Sequence, residues 1–99
     1  MKYLVHVRHF VSSSGRRKFP AVVRQNRRLA SAYPGFVALR RFIPLPPARP
    51  GEIHVMLEFS GLRQLMRWRA SPGHRRVAAA YVLCWSKPPE VQFFKICHS

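Results

Sequence analysis

The first third of the chain changes from a two-residue to a helical spacing of its apolar positions. Residues 2–11 alternate, which predicts a strand whose two faces differ in polarity. Residues 18–32 carry their apolar positions at helical spacing, and Pro20 fits only the first turn, so the helix is expected to begin close to it. The predicted strand has Tyr3, Val5, Val7 and Val11 on one face, and Leu4, His6, Arg8 and Phe10 on the other.

Two further strands are predicted in the middle of the chain. Tyr33-Pro34-Gly35 ends the helix, and residues 36–43 form the second strand. Residues 44–51 are rich in proline, which cannot join a strand ladder, so they are expected to form a loop. The third strand spans residues 53–59, with Ile53, Val55, Leu57 and Phe59 on one face and His54, Met56 and Glu58 on the other.

A second helical region follows and is broken in two. Ser60 is expected to cap its first half, and Ser71, followed by Pro72 at the first helical position, its second half. In the first half, one helical face carries Leu62, Leu65, Met66 and Arg69. Trp68 lies beside this face.

The second half is expected to extend its apolar stripe as far as Trp85, through Val77, Ala78, Tyr81 and Val82. Pro88-Pro89 would end this helix, and residues 90–96 would form the last strand. The order β-α-β-β-α-β predicts an α+β, ferredoxin-like sandwich over residues 1–99, a single domain with helices on one face of a four-stranded antiparallel sheet.

The amino-acid composition predicts that a second copy of the chain is needed. Apolar residues make up 47% of a chain of only 99 residues, which is more than a small core needs. The sheet face without helices would expose an apolar patch, so a second copy is expected to cover it and form a homodimer. The polar side chains between the two sheets, which include His6, Arg8, His54 and Glu58, would then line a mixed space.

The charge is strongly positive, with 18 Lys and Arg against 3 acidic residues. Such a surface attracts nucleic acid or another polyanion, but the spread of the basic residues over every segment favours an ordinary solvated exterior. Two cysteines are too few for a disulfide framework. The N-terminus does not resemble a signal peptide, and no apolar run is long enough for a membrane span, so a cytoplasmic protein is expected.

Three motifs resemble the antibiotic biosynthesis monooxygenase (ABM) family. They are Tyr33-Pro-Gly-Phe36, Glu58-Phe59-Ser60 and Trp68-x-x-Ser71-Pro-x-His74-Arg. The motifs cover residues 33–76, and the topology fits the whole chain. The resemblance implies a dimeric α+β barrel with a cavity between helices and sheet. Some members oxidise polycyclic aromatic substrates with O2 and without metal or flavin, others degrade haem, and many have no known activity.

The resemblance also implies roles for individual residues. A Trp matching Trp68 lines the cavity in cofactor-free members, and a polar residue near His74 assists proton transfer, so both are candidate catalytic residues. The expected substrate is a planar aromatic molecule, and the alternative is a non-catalytic dimeric module whose basic surface binds a polyanion. Candidate substrate-binding residues are His6, Arg8, His54, Met56, Glu58, Phe59 and Tyr81.

No haem or metal cofactor is expected. The haem-degrading members use an Asn on the first strand, whereas the only Asn here, Asn26, lies on the first predicted helix, and residues 76–80 lack a haem ligand. Two histidines and Glu58 on one sheet face have the composition of a zinc or non-haem iron site, but without a spacing motif. An ion pair between Glu58 and Arg8 or Arg40 is the expected alternative. The candidate catalytic residues also have structural alternatives. Trp68 would then be an ordinary core residue, and His74 would be a solvent-exposed residue without a catalytic role.

Overall fold

The computed structural model, which describes residues 1–46 and 49–97, contains one antiparallel sheet with strand order β2-β3-β1-β4. The predicted ferredoxin-like order of elements is confirmed. The strands are β1 (Lys2–Val11), β2 (Phe36–Phe42), β3 (Glu52–Phe59) and β4 (Trp85–Ile96), and the helices are α1 (Phe19–Ala30), α2 (Leu62–Arg69) and α3 (Pro72–Val82). No helix among the described residues is both long and apolar enough to cross a membrane.

The helices pack on the sheet face that the alternation predicted. Val5 lies opposite Leu57 on β3 and Phe93 on β4. Val5, Val55 and Leu57 are each at most 4% exposed, because every second residue of a strand points to the same face. Burying each of these side chains contributes about 1.5–3 kcal/mol before the entropy of ordering is subtracted.

A serine joins the two halves of the second helical region. Ser71 is the N-cap of α3, as predicted: its hydroxyl accepts a hydrogen bond from the His74 backbone N–H at 3.1 Å. The same hydroxyl donates to the carbonyl of Trp68 at 2.7 Å. Because one buried side chain bonds to both helices, the orientations of Trp68 and His74 are set together.

The predictions for α2 were less accurate. Its N-cap is Gly61 and not Ser60, and no side chain caps the helix. The buried stripe consists of Leu65 and Trp68, while Leu62 and Met66 are 47% and 39% exposed. A short helix on a sheet buries only one side of each turn, so an apolar face defined by spacing alone was too wide.

The last strand starts earlier than predicted. The helix α3 ends at Val82, and the following strand already includes Trp85, which pairs with Val11. Pro88 and Pro89 therefore lie inside β4 and do not terminate a helix. Proline is tolerated there because β4 is an edge strand, so one side of it needs no ladder hydrogen bonds.

The turns were predicted correctly from glycine and proline. Gly35 adopts φ of +89°, a left-handed conformation that favours glycine, in the turn that follows α1. Residues 43–46 and 49–51 lie outside the strands, in agreement with the predicted proline-rich loop, and Pro47 and Ala48 of that loop lie outside the described residues. Cys84 is buried in the turn between α3 and β4.

Candidate functional site

A cavity of about 130 Å³ lies between the helices and the sheet. For scale, an apolar protein cavity of about 150 Å³ can hold benzene, so this space matches one aromatic ring. Its aliphatic wall is formed by Val5, Val7, Val55, Leu57, Val77, Ala78, Pro89 and Val91. Its aromatic and polar lining is formed by His9, Asn26, Trp68, Arg69, His74, Tyr81 and Trp85.

Trp68 forms a rigid part of the cavity wall. Its side chain is 1% exposed, and its indole packs edge-on against the rings of Tyr33 and His74, with centroid distances of 5.2 and 5.6 Å. Gly73 allows this packing, because a Cβ there would lie 3.1 Å from Cζ3 of the indole. The indole is therefore held from several sides and has little freedom to move.

His74 lines the same cavity as a neutral imidazole. Burial, followed by the nearby positive charge of Arg69, lowers its pKa to about 4. At neutral pH the ring therefore holds no extra proton and can accept one. The guanidinium of Arg69 also lines the cavity and lies 5.5 Å from the centroid of the Phe93 ring.

Asn26 and Tyr81 present hydrogen-bonding groups to the cavity. The Asn26 side-chain amide donates to the Tyr81 hydroxyl at 2.8 Å, while Asn26 Oδ1 is buried without a hydrogen-bond partner among the described residues. Burial raises the pKa of Tyr81 to about 12, so its hydroxyl keeps its proton. Since that hydroxyl already accepts from Asn26, it can donate elsewhere, and the pair offers one acceptor and one donor.

The cavity lining also contains a paired histidine and tryptophan. Trp85 Nε1 donates to His9 Nδ1 at 2.9 Å, which places the His9 proton on Nε2. His9 is 2% exposed, and burial, with smaller contributions from His54 and His6, lowers its pKa to about 4. The imidazole also packs on Tyr81, with a centroid distance of 4.6 Å.

The sheet face opposite the helices carries a separate polar network around a groove of about 350 Å³. Arg8 contacts Glu52 through two nitrogens, at 3.0 and 3.2 Å, and Glu90 at 3.1 Å. The Glu52 carboxylate also accepts a hydrogen bond from His54 at 2.8 Å, and the His54 and His6 rings are hydrogen-bonded to each other at 2.7 Å. The hydrogen bond from Arg8, then that from His54, lowers the pKa of Glu52. These side chains therefore balance one another's charges and hydrogen bonds within the chain.

Glu58 does not pair with Arg8 or Arg40, so that prediction was wrong. Its carboxylate lies 3.6 Å from Nζ of Lys2, because Glu58 sits opposite the N-terminal end of β1 and Arg8 opposite the other end of β3. The two imidazoles bond to each other, and no group of three or more potential ligands that could hold a metal ion occurs among residues 1–46 and 49–97.

The structure divides the predicted site residues between two faces of the sheet. Trp68, His74 and Tyr81 line the cavity, and Phe59 is fully buried outside its lining, edge-on to Phe36 at 5.9 Å. The others lie across the sheet, because even-numbered residues of β1 and β3 point away from the helices. These are His6, Arg8, His54, Met56 and Glu58.

Four aromatic or polar cavity residues were not singled out as site residues from the sequence: His9, Asn26, Arg69 and Trp85. Arg69 was assigned only to a helical face. The signal for Asn26 was a polar side chain inside the apolar stripe of α1. His9 shares its strand face with valines, which was a similar signal. Trp85 was placed on a helix, so its position beside His9 did not follow from the predicted elements.

Comparisons with known proteins show the same architecture. No protein-family model and no curated protein sequence matches this chain. Among solved structures, SnoaB, a cofactor-independent oxygenase from Streptomyces nogalater, is 17% identical with a TM-score of 0.79, over 99% of this chain and 95% of SnoaB. A Bordetella bronchiseptica protein assigned as an antibiotic biosynthesis monooxygenase is 16% identical with a TM-score of 0.82, over 98% of each chain.

A dimeric ferredoxin-like protein of unknown function from Jannaschia sp. CCS1 is also similar, at 14% identity and a TM-score of 0.80, over 97% of this chain and 100% of that one. The three structures match almost the full length of this chain. The chain therefore has the fold of structures assigned to the antibiotic biosynthesis monooxygenases, the family that its motifs resemble.

Proposed function

We propose that the chain binds a small planar aromatic molecule beside Trp68 and oxygenates it with O2, without a bound cofactor. The observation that carries this proposal is a ring-sized cavity lined in part by Asn26, whose buried Oδ1 has no hydrogen-bond partner among the described residues. An empty apolar void would explain neither that atom nor the Tyr81 hydroxyl beside it. The likeness to a cofactor-independent oxygenase supports the chemistry.

The favoured substrate is a phenol. Its oxygen can accept a hydrogen bond from the Tyr81 hydroxyl, and a second ring hydroxyl, as in hydroquinone, can donate to Asn26 Oδ1. A single ring fits within about 130 Å³, and a larger ring system would extend past Val91, which is 44% exposed. The aromatic walls provide van der Waals contact without polar groups that would need partners.

The reaction balances without a redox cofactor. The phenol loses its O–H proton, and the phenolate gives an electron pair to O2, so that a C–O bond forms at a ring carbon. The O–O bond of the resulting hydroperoxide then breaks, leaving a quinone carbonyl, and the second oxygen leaves as water with the two hydrogens lost from the substrate. The cavity contributes by holding the phenolate and O2 together away from solvent.

His74 is the proposed proton acceptor. Its pKa of about 4 keeps the imidazole unprotonated in the free protein. An adjacent phenolate would stabilise the imidazolium and raise that pKa when substrate is bound. The cationic Arg69 at the same cavity favours the phenolate form of the substrate.

Exchange of His74 for glutamine is expected to lower O2 consumption with 1-naphthol or hydroquinone by roughly 10²–10⁴-fold, the usual effect of losing a general base. Binding should change by less than a few fold, since glutamine keeps a polar side chain of similar size. Quenching of tryptophan fluorescence measures binding, and an oxygen electrode measures turnover. The matched control is Arg76→Gln, an exposed position of the same helix.

The two parts of the proposal fail separately. Saturable quenching with no O2 consumption by the unaltered protein would leave a binding module and remove the oxygenase. Absence of quenching by any one- or two-ring phenol would remove the aromatic ligand itself. Equal losses in the His74 and Arg76 variants would remove the specific role of His74.

We also propose that the protein is a homodimer joined through the sheet face opposite the helices. That face exposes Phe42 and Phe94, which are 44% and 42% exposed. Their rings flank His6, with centroid distances of 5.9 and 6.4 Å, and so form a continuous aromatic surface. Such a patch on a small protein favours contact with a second copy. The similarity to a dimeric ferredoxin-like protein supports this arrangement.

Phe94→Glu is expected to convert the dimer to a monomer at micromolar concentration, because the interface would bury an unpaired carboxylate. Leu83→Glu is the control, since Leu83 is 72% exposed in the turn after α3 and receives the same added charge. Sedimentation velocity distinguishes the two states. A monomeric unaltered protein, or a dimer that survives Phe94→Glu, would contradict the proposed interface.

A further inference from the structure

A small recess lies between α1 and β2, away from the cavity described above. It has a volume of about 90 Å³ and is lined by Pro20, Val23, Arg24, Arg27 and Arg41. The α1 residues lie at spacings of three and four, so they share one side of the helix. Arg41 lines the recess from β2, so three arginine side chains surround an apolar floor formed by Pro20 and Val23.

Within residues 1–46 and 49–97, the three arginines have no acidic partner. The chain has only three acidic side chains, and all of them lie on the opposite face of the sheet. There Glu52 and Glu90 bind Arg8, and Glu58 binds Lys2. The charges in the recess are therefore not neutralised by acidic side chains of this chain.

One of the guanidinium groups is held in place. A terminal nitrogen of Arg27 donates to the backbone carbonyl of Leu39 at 3.1 Å. This bond ties α1 to β2 and fixes the Arg27 side chain at the recess, while its remaining N–H groups stay available. Holding Arg27 in advance lowers the entropy cost of binding a ligand there.

We propose that this recess is a binding site for a phosphate-class oxyanion, either inorganic phosphate or the phosphate group of a small monoester. Three arginine side chains around one recess suit a tetrahedral oxyanion, because each guanidinium group can donate two parallel hydrogen bonds. The site is small and confined to one recess, which favours a single anionic group over a long polymer. The proposal is independent of the oxygenase activity, since the recess and the cavity share no lining residue.

The test is a calorimetric titration of inorganic phosphate at constant ionic strength. Arg24→Gln/Arg41→Gln removes two of the three charges and leaves the Arg27 bond to Leu39 intact. Arg63→Gln/Arg67→Gln is the control, because both residues are exposed on α2 and the change in net charge is the same. We expect a loss of phosphate affinity of roughly ten-fold or more for the first variant and little change for the second.

Circular dichroism first establishes that both variants are folded. Equal losses in the two variants, or no saturable binding of phosphate, would overturn the proposal. A single-stranded RNA 10-mer is titrated in parallel to identify the source of the anion. RNA binding that depends on Arg24 and Arg41 while inorganic phosphate does not bind would also overturn it, in favour of a nucleic-acid surface.

Discussion

Replacing Trp68 with alanine is expected to lower the free energy of unfolding by about 3–5 kcal/mol. The indole is 1% exposed and packs against Tyr33, His74 and the backbone of Gly73, so its removal leaves a void that its neighbours cannot fill. A loss of this size is a large part of the stability of a small domain. Urea unfolding followed by far-UV circular dichroism measures it.

Two further measurements separate packing from other effects. Trp68→Phe keeps an aromatic ring and should lose much less stability than the alanine variant. Added indole should restore part of the stability of Trp68→Ala, because a ligand that fills the void binds only the folded state. A loss below about 1 kcal/mol, outside the usual range for such substitutions, would show that the indole is not a packed wall of the cavity.

Acidification from pH 7 to 4 is expected to destabilise the fold, with His9 and His74 as the main sources. The pKa of His9 is about 4 in the folded protein and 6.5 in the unfolded chain. Between these values the unfolded chain binds the additional proton, so stability present above pH 6.5 is lost as the pH falls. At about 1.4 kcal/mol per pKa unit, His9 accounts for about 3 kcal/mol of this loss. The depressed pKa of His74 acts in the same direction.

His9→Phe tests this expectation, because it keeps a ring against Tyr81 but cannot be protonated. The variant should be less stable at pH 7, since Trp85 Nε1 loses its acceptor, yet its stability should change less between pH 7 and 4. His74→Gln reports the contribution of the second imidazole, whose pKa is lowered to the same value of about 4. The measurement is urea unfolding at several pH values, and an unchanged pH dependence in His9→Phe would assign the acid loss to other groups.

The fold could be predicted from the sequence because local signals agreed with one another. Alternation along β1 and β3, Pro20 at the start of α1, and Ser71-Pro72 at the start of α3 each define an element from its own residues. The start of β4 was missed for the opposite reason. Tyr81 and Trp85 have helical spacing, but the chain turns at Cys84, and only the pairing of Trp85 with Val11 on β1 makes this segment a strand.

The candidate site was only partly predictable. The Trp68 to His74 segment is local, so its shared orientation followed from spacing and from the Ser71 cap. The other cavity groups are brought together only by the fold, with Asn26 on α1 contacting Tyr81 on α3. The strand residues divide between the two sheet faces according to whether their numbers are even or odd. His6 and Arg8 point away from the cavity, whereas His9 lines it.

The placement of Glu52, Glu58 and Glu90 on one sheet face also gives the molecule a large electric dipole. The charged side chains of the helical layer are all positive, and every carboxylate side chain lies on the far side of the sheet. An anionic solute approaching from a distance is therefore drawn to the helical side. In the proposed homodimer, the two sheet faces would bring together the least positive surfaces of two strongly basic chains, and this orientation would have the least electrostatic repulsion.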